Sequence, residues 1–158
     1  MEQSVVSDVF LKFYKAASDE GGDIDLSQQL PYSGFESLMP SVAVMDLNKA
    51  FQQITYRKLF LRNEGDRSLS NLIVYISQQT PCPDDDIWIA PGTKTDTVAD
   101  AQNYEYVQPL TPEDALFLAN TLEPEDYLAI WIKRVVYPYA KTFADNFYEL
   151  TFEYIYVV

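Results

Sequence analysis

The chain has 158 residues, with 24 acidic against 11 basic side chains, a formal net charge of -13, no histidine and one cysteine. Such a negative surface disfavours nucleic acid and anionic membranes as partners, and the lack of histidine removes Ser-His-Asp and Cys-His chemistry, the usual zinc sites and a histidine pH switch. Twelve Tyr and nine Phe, with only five Gly, bias a chain long enough for one packed domain toward strands.

Val9 to Tyr14 is a short apolar run, a strand or a helical turn, too short for periodicity to decide. Ala16 to Asp25 is small, acidic and glycine-bearing and reads as a loop. Leu26 to Ala50, interrupted by Pro31, Gly34 and Pro40, reads as an extended arm, ending in a helical turn over Met45 to Phe51. Tyr56 to Asn63 and Leu69 to Ser77 read as strands and are expected to form a hairpin around Gly65. After Pro81-Cys82-Pro83-Asp84-Asp85-Asp86, Ile87 to Ile89 starts a short strand that stops at Pro91-Gly92. Thr93 to Asn103 reads as a long loop and Tyr104 to Val107 as a brief edge strand. Ala115 to Leu122 is a strand, with a helix capped at Thr111 and opened by Pro112 as its rival. Tyr127 to Val136 is a strand apolar on both faces as far as Lys133 and Arg134. In Phe147 to Val157, Tyr148, Leu150, Phe152, Tyr154 and Tyr156 fall on one face and Glu149, Thr151 and Glu153 on the other. The expected fold is all-β, an immunoglobulin-like or jelly-roll β-sandwich. Residues 1–54 are expected to hold an N-terminal strand and an arm that orders on contact, and residues 55–158 the core domain.

Few residues point to chemistry. Leu122, Pro124 and Tyr127 fit a tyrosine corner, in which the phenol bonds back to the turn backbone and pins the crossover between sheets. Asp84-Asp85-Asp86 and Asp23-Ile24-Asp25 offer clustered oxygens for a hard cation, but neither has the spacing of a calcium loop and solvated loop carboxylates are the ordinary reading. Cys82, between two prolines and without a base, reads as an idle thiol. Lys133, Arg134 and Trp88 are candidate assembly contacts, and Trp88 and Tyr104 are candidate stacking platforms for a sugar. No paired carboxylates are singled out by spacing, so neither catalytic residues nor a cofactor or metal is expected. No run of about 18 apolar residues occurs, and Met1-Glu2-Gln3-Ser4 does not open a signal peptide.

The order of these motifs resembles a group of uncharacterised tailed-phage virion structural proteins. The resemblance rests on the strand Tyr56-Arg57 to Asn63, the loop Thr80-Pro81-Cys82-Pro83-Asp84, and the strand Ile130-Trp131-Ile132-Lys133-Arg134. It extends loosely to Leu11-Lys12-Phe13-Tyr14 and the arm up to Leu47. The chain departs from that group at Glu125-Asp126, where Gly is usual, and in a shorter, more acidic middle. The resemblance implies a non-enzymatic virion component at the neck, head-tail connector or tail. A capsid decoration protein or a carbohydrate- or receptor-binding module is the alternative. Its implied partners are other virion proteins and copies of itself, and it would be made in the host cytoplasm.

Overall fold

The computed structural model describes residues 2–6, 10–30, 52–141 and 147–157. Nine strands among them form two antiparallel sheets: β1 (Glu2–Val6), β2 (Leu11–Ser18), β3 (Gly21–Leu30), β4 (Gln53–Asn63), β5 (Leu69–Gln78), β6 (Asp85–Pro91), β7 (Leu116–Leu122), β8 (Tyr127–Val136) and β9 (Glu149–Val157). One sheet has the order β1-β9-β5-β7 and the other β3-β2-β4-β8-β6.

The pairings are nested. β1 pairs with β9, β4 with β8, β5 with β7, and β6 with Val107 through an isolated bridge to Ile89. Successive pairs fall in alternate sheets, as when one long two-stranded ribbon is rolled up on itself. This is the jelly roll, and the β2–β3 hairpin is an addition laid against β4. The immunoglobulin order is not realised, because there the first two strands are neighbours, whereas among the described strands β1 pairs with β9 alone.

Side-chain alternation explains the layers. Leu11 and Phe13 on β2, Leu59 and Leu61 on β4, Ile87 and Ile89 on β6, and Ile130 and Ile132 on β8 point inward. They meet Leu72, Val74 and Ile76 on β5 and Leu150, Phe152 and Tyr154 on β9. Phe13 touches Phe152 across the interlayer space, with ring centroids 5.1 Å apart. Each such side chain contributes roughly 1.5–3 kcal/mol by leaving water. β8 is apolar on both faces because it is central and its outer face is also covered: Ala129 and Trp131 are as buried as Ile130 and Ile132.

Several expectations are corrected. Tyr56 to Asn63 and Leu69 to Ser77 are not a hairpin: β4 pairs with β2 and β8, β5 with β7 and β9, and the turn at Gly65 crosses from one sheet to the other. Ala16 to Asp25 is not a loop: β2 and β3 run through it and turn at Asp19-Glu20. Leu26 to Leu30 belongs to β3, so this part of the arm is built into a sheet. The rest of the arm, and the helical turn over 45–51, lie outside the described residues. Strand pairing crosses the division at residue 54 in both sheets. Within Thr93 to Asn103 a short helix, α1 (Val98–Ala101), forms behind a capping box of Thr97 and Asp100. Tyr104 to Val107 is reduced to the single bridge at Val107. Thr111 and Pro112 do start a helix, but only a one-turn 3-10 segment (Pro112–Asp114) that leads into β7.

Candidate interaction surface

The two sheets treat their outer faces differently. Residues 92–107 lie against the outer face of the five-stranded sheet, and a buried charge fixes them there. Lys58 on β4 points outward with its side chain fully buried, and its Nζ lies 2.7 Å from Asp96 Oδ1. The ammonium also donates to the carbonyls of Gly22 (2.8 Å) and Asp96 (3.1 Å). Asp96 Oδ2 accepts from Tyr104 Oη (2.6 Å), Thr93 N (2.9 Å) and Trp131 Nε1 (3.0 Å). Burial pushes the Asp96 carboxyl up, but Lys58, Tyr104, Thr93 and Trp131 outweigh it and hold the group below the ordinary aspartate range. Burial pulls the Lys58 ammonium below the usual lysine value, and Asp96 restores only part of the difference. Gly21, at φ +102°, turns the β2–β3 hairpin tip onto this hub. A Cβ there would stand 2.8 Å from Asp96 O and 2.9 Å from the Trp131 ring.

A second buried ion pair removes one expected contact residue from the surface. Arg134 points inward, and its Nε donates to Asp85 Oδ2 at 2.8 Å, with Nη2 on the same oxygen. At 5% exposure it is a structural arginine and offers nothing to a neighbour. Lys133 and Trp88 do reach the outer face. They sit in one row with Tyr56, because Tyr56 and Trp88 both register against Lys133. The Lys133 ammonium lies 5.4 Å from the Trp88 ring and 5.0 Å from that of Tyr106, so the indole is half-buried and covered by a cation. Trp88 Nε1 donates to Asp86, and the Tyr104 phenol is spent on Asp96. Both rings are half-buried, and the Lys133 ammonium over the indole disfavours Trp88 as a sugar-stacking platform.

The acidic run at 84–86 is divided among three tasks. Asp84 accepts from Lys141 N, Asp85 pairs with Arg134, and Asp86 accepts from Trp88 and Tyr137. Asp23 accepts from Ile24 N and Tyr127 Oη, and Asp25 from Ser27 and Gln28. Among the described residues no three metal-ligating side chains converge. Cys82 is buried, and burial raises its thiol pKa.

The expected tyrosine corner does not form. Tyr127 Oη donates to the exposed Asp23 carboxylate at 2.8 Å, not to the backbone of its own turn. Leu122 is buried at the end of β7 and Pro124 is exposed, but the pin is Asn63. Its Nδ2 donates to the carbonyls of Arg67 (2.7 Å) and Leu122 (3.0 Å), and its Oδ1 accepts from Gly65 N (3.0 Å). One fully buried amide thus ties the β4–β5 turn to the β7–β8 turn.

The outer face of the four-stranded sheet has no comparable cover among the described residues. Ile73 and Tyr75 on β5, Phe117 on β7 and Glu153 and Ile155 on β9 line it, and Phe117 is 51% exposed. Ser77, Thr151 and Glu149 form a short hydrogen-bonded chain at one end. None of β1, β5, β7 and β9 contains a lysine or arginine, whereas Glu2, Glu149 and Glu153 are present. The bases that fall on strands lie on the other sheet: Lys12 and Lys15 on β2, Arg57, Lys58 and Arg62 on β4, Lys133 and Arg134 on β8. Sequence reasoning missed this face. The missing bases are visible in each segment, but only the strand order gathers those segments into one surface. Comparison with family models, with curated proteins and with solved structures finds no match for the chain.

Proposed function

We propose that this protein is a non-catalytic structural component of a tailed-phage particle, working by protein-protein contact in a symmetric assembly at the neck or tail. The observation that carries the contact reading is the open face of the four-stranded sheet. Its strands present Phe117, Ile73, Tyr75 and Ile155 beside carboxylates, with no base among the described strand residues. Apolar side chains ringed by charge of a single sign suit a surface that a neighbour covers. Residues 92–107 lie against the opposite face, whereas among the described residues none covers the four-stranded side, which favours it as the docking side. The placement in a phage particle rests on the motif resemblance, and the jelly roll is a shape that capsid proteins share with lectins.

Light scattering on the purified protein, followed by electron microscopy alone and with purified phage, tests the reading. Rings, defined oligomers or decorated particles are expected, and Phe117→Asp should disperse them while leaving the circular dichroism unchanged. A strict monomer that ignores particles and instead binds a glycan array would overturn it.

A further inference from the structure

The inner face of the β2–β4 pair turns polar beyond Phe13 and Leu59, the last core residues at that end. Lys15 registers against Leu59, so it shares a face with Arg57 and sits diagonal to it across the two strands. Like charges placed so repel unless something negative lies between them. Together with Ser18, Asp19, Gln28 and Lys58, whose ammonium is already paired with Asp96, these two bases line a recess of about 90 Å³. That volume holds several waters, or one small oxyanion in their place. The guanidinium is already oriented, because Arg57 Nη1 donates to the carbonyl of Tyr56 at 2.9 Å. Among the described residues its carboxylate neighbour is Asp19, which stands 3.7 Å away and is 79% exposed, a pair too loose and too wet to neutralise the recess. Among the described residues no carboxylate pairs with Lys15.

We infer that the Lys15–Arg57 recess is an oxyanion site, taking a phosphate-like ion or a carboxylate, with Ser18 and Gln28 as neutral hydrogen-bonding groups. The two sources are free inorganic phosphate and an acidic side chain of a second copy of this chain. Arg57 supplies a planar fork and Lys15 a mobile point charge, the combination that phosphate and carboxylate both accept.

Inorganic phosphate is the probe, titrated into the full chain at constant ionic strength and followed by amide shifts in two-dimensional NMR. Shifts confined to Lys15, Ser18, Gln28 and Arg57 are expected. Lys15→Gln, a change at a half-exposed position, should weaken binding by about tenfold or more, the worth of one charged hydrogen bond. If phosphate does not bind but the protein self-associates, then Lys15→Glu should dissociate it and Lys15→Arg should not, assigning the site to a carboxylate of a second copy. Phosphate shifts that are equal in Lys15→Gln would overturn the site. So would an absence of phosphate binding combined with self-association indifferent to Lys15→Glu, or with no self-association at all.

Discussion

Replacing Asp96 by Asn tests whether the buried hub holds residues 92–107 on the five-stranded sheet. The amide keeps an oxygen for Tyr104, Thr93 and Trp131, but it removes the charge 2.7 Å from a lysine whose side chain has no contact with water. An ammonium left buried with only the Gly22 and Asp96 carbonyls costs about 3–5 kcal/mol, which for a chain of this size lowers the thermal midpoint by roughly 6–20 °C. Lys58→Met should also destabilise. The double variant should lose less than the sum, because it strands no charge. The effect has a pH signature. The folded Asp96 is held below its ordinary value, so its contribution is complete above the unfolded aspartate pKa and is lost as pH falls through the lowered folded pKa. The gap between wild type and Asp96→Asn should therefore narrow in acid. Calorimetry across that range is the assay, and a midpoint change under about 2 °C at neutral pH would refute the assignment.

Asn63→Ala should cost roughly 2–4 kcal/mol, since it strands the carbonyls of Arg67 and Leu122, whereas Tyr127→Phe should cost under about 1 kcal/mol because it loses one bond to an exposed carboxylate. Urea unfolding of the two variants separates an asparagine pin from a tyrosine corner, and the reverse order would restore the tyrosine. Glu125 sits at φ +70°, and its N–H bond to Asn63 O needs no side chain, so Glu125→Gly should stabilise by about 1 kcal/mol in the same assay. A loss of stability would mean that the carboxylate has a role in the turn.

Much of the core was legible because it follows simple alternation. Leu150, Phe152 and Tyr154 are buried as the period of two requires, and the doubly apolar run of β8 reports a central strand with both faces covered. The β2–β3 hairpin was not legible. Gly21-Gly22-Asp23 has turn composition, and β3 is an edge strand whose residues from Ser27 to Gln29 stay exposed, so no apolar face announces it. Its conformation is set by distant groups: Lys58 on the Gly22 carbonyl, and Gly22 N on the Asp96 carbonyl. Asp96 had the same problem. In sequence it is one acid of 24, and only the approach of β4 and β8 makes it the partner of Lys58 and Trp131. Glu125 stands at positive φ in the β7–β8 turn, a conformation that glycine suits better and that the acidic sequence there does not announce.

The separation of bases from the four-stranded sheet is more than a solubility device. An open sheet face is kept soluble by mixing both signs of charge, and lysine is the usual guard of an exposed strand. Here lysine and arginine are spent on the sheet whose outer face is covered, two of them in buried pairs, while the open face carries Glu149 and Glu153 beside Phe117. The sheet edge argues for how a neighbour would approach. β7 is an edge strand without charge, yet Leu118 is an extra residue between the Leu72–Ala119 and Ile73–Phe117 pairs, and a bulge there disrupts the regular ladder another strand would need. Edge-to-edge extension through β7 is thereby disfavoured, which favours the face over that edge as the surface to cover. On the proposed function, the carboxylates of this face disfavour pairing with a second copy of the same face, so the partner expected there brings lysines or arginines in a heterologous contact rather than a twofold pairing of like with like.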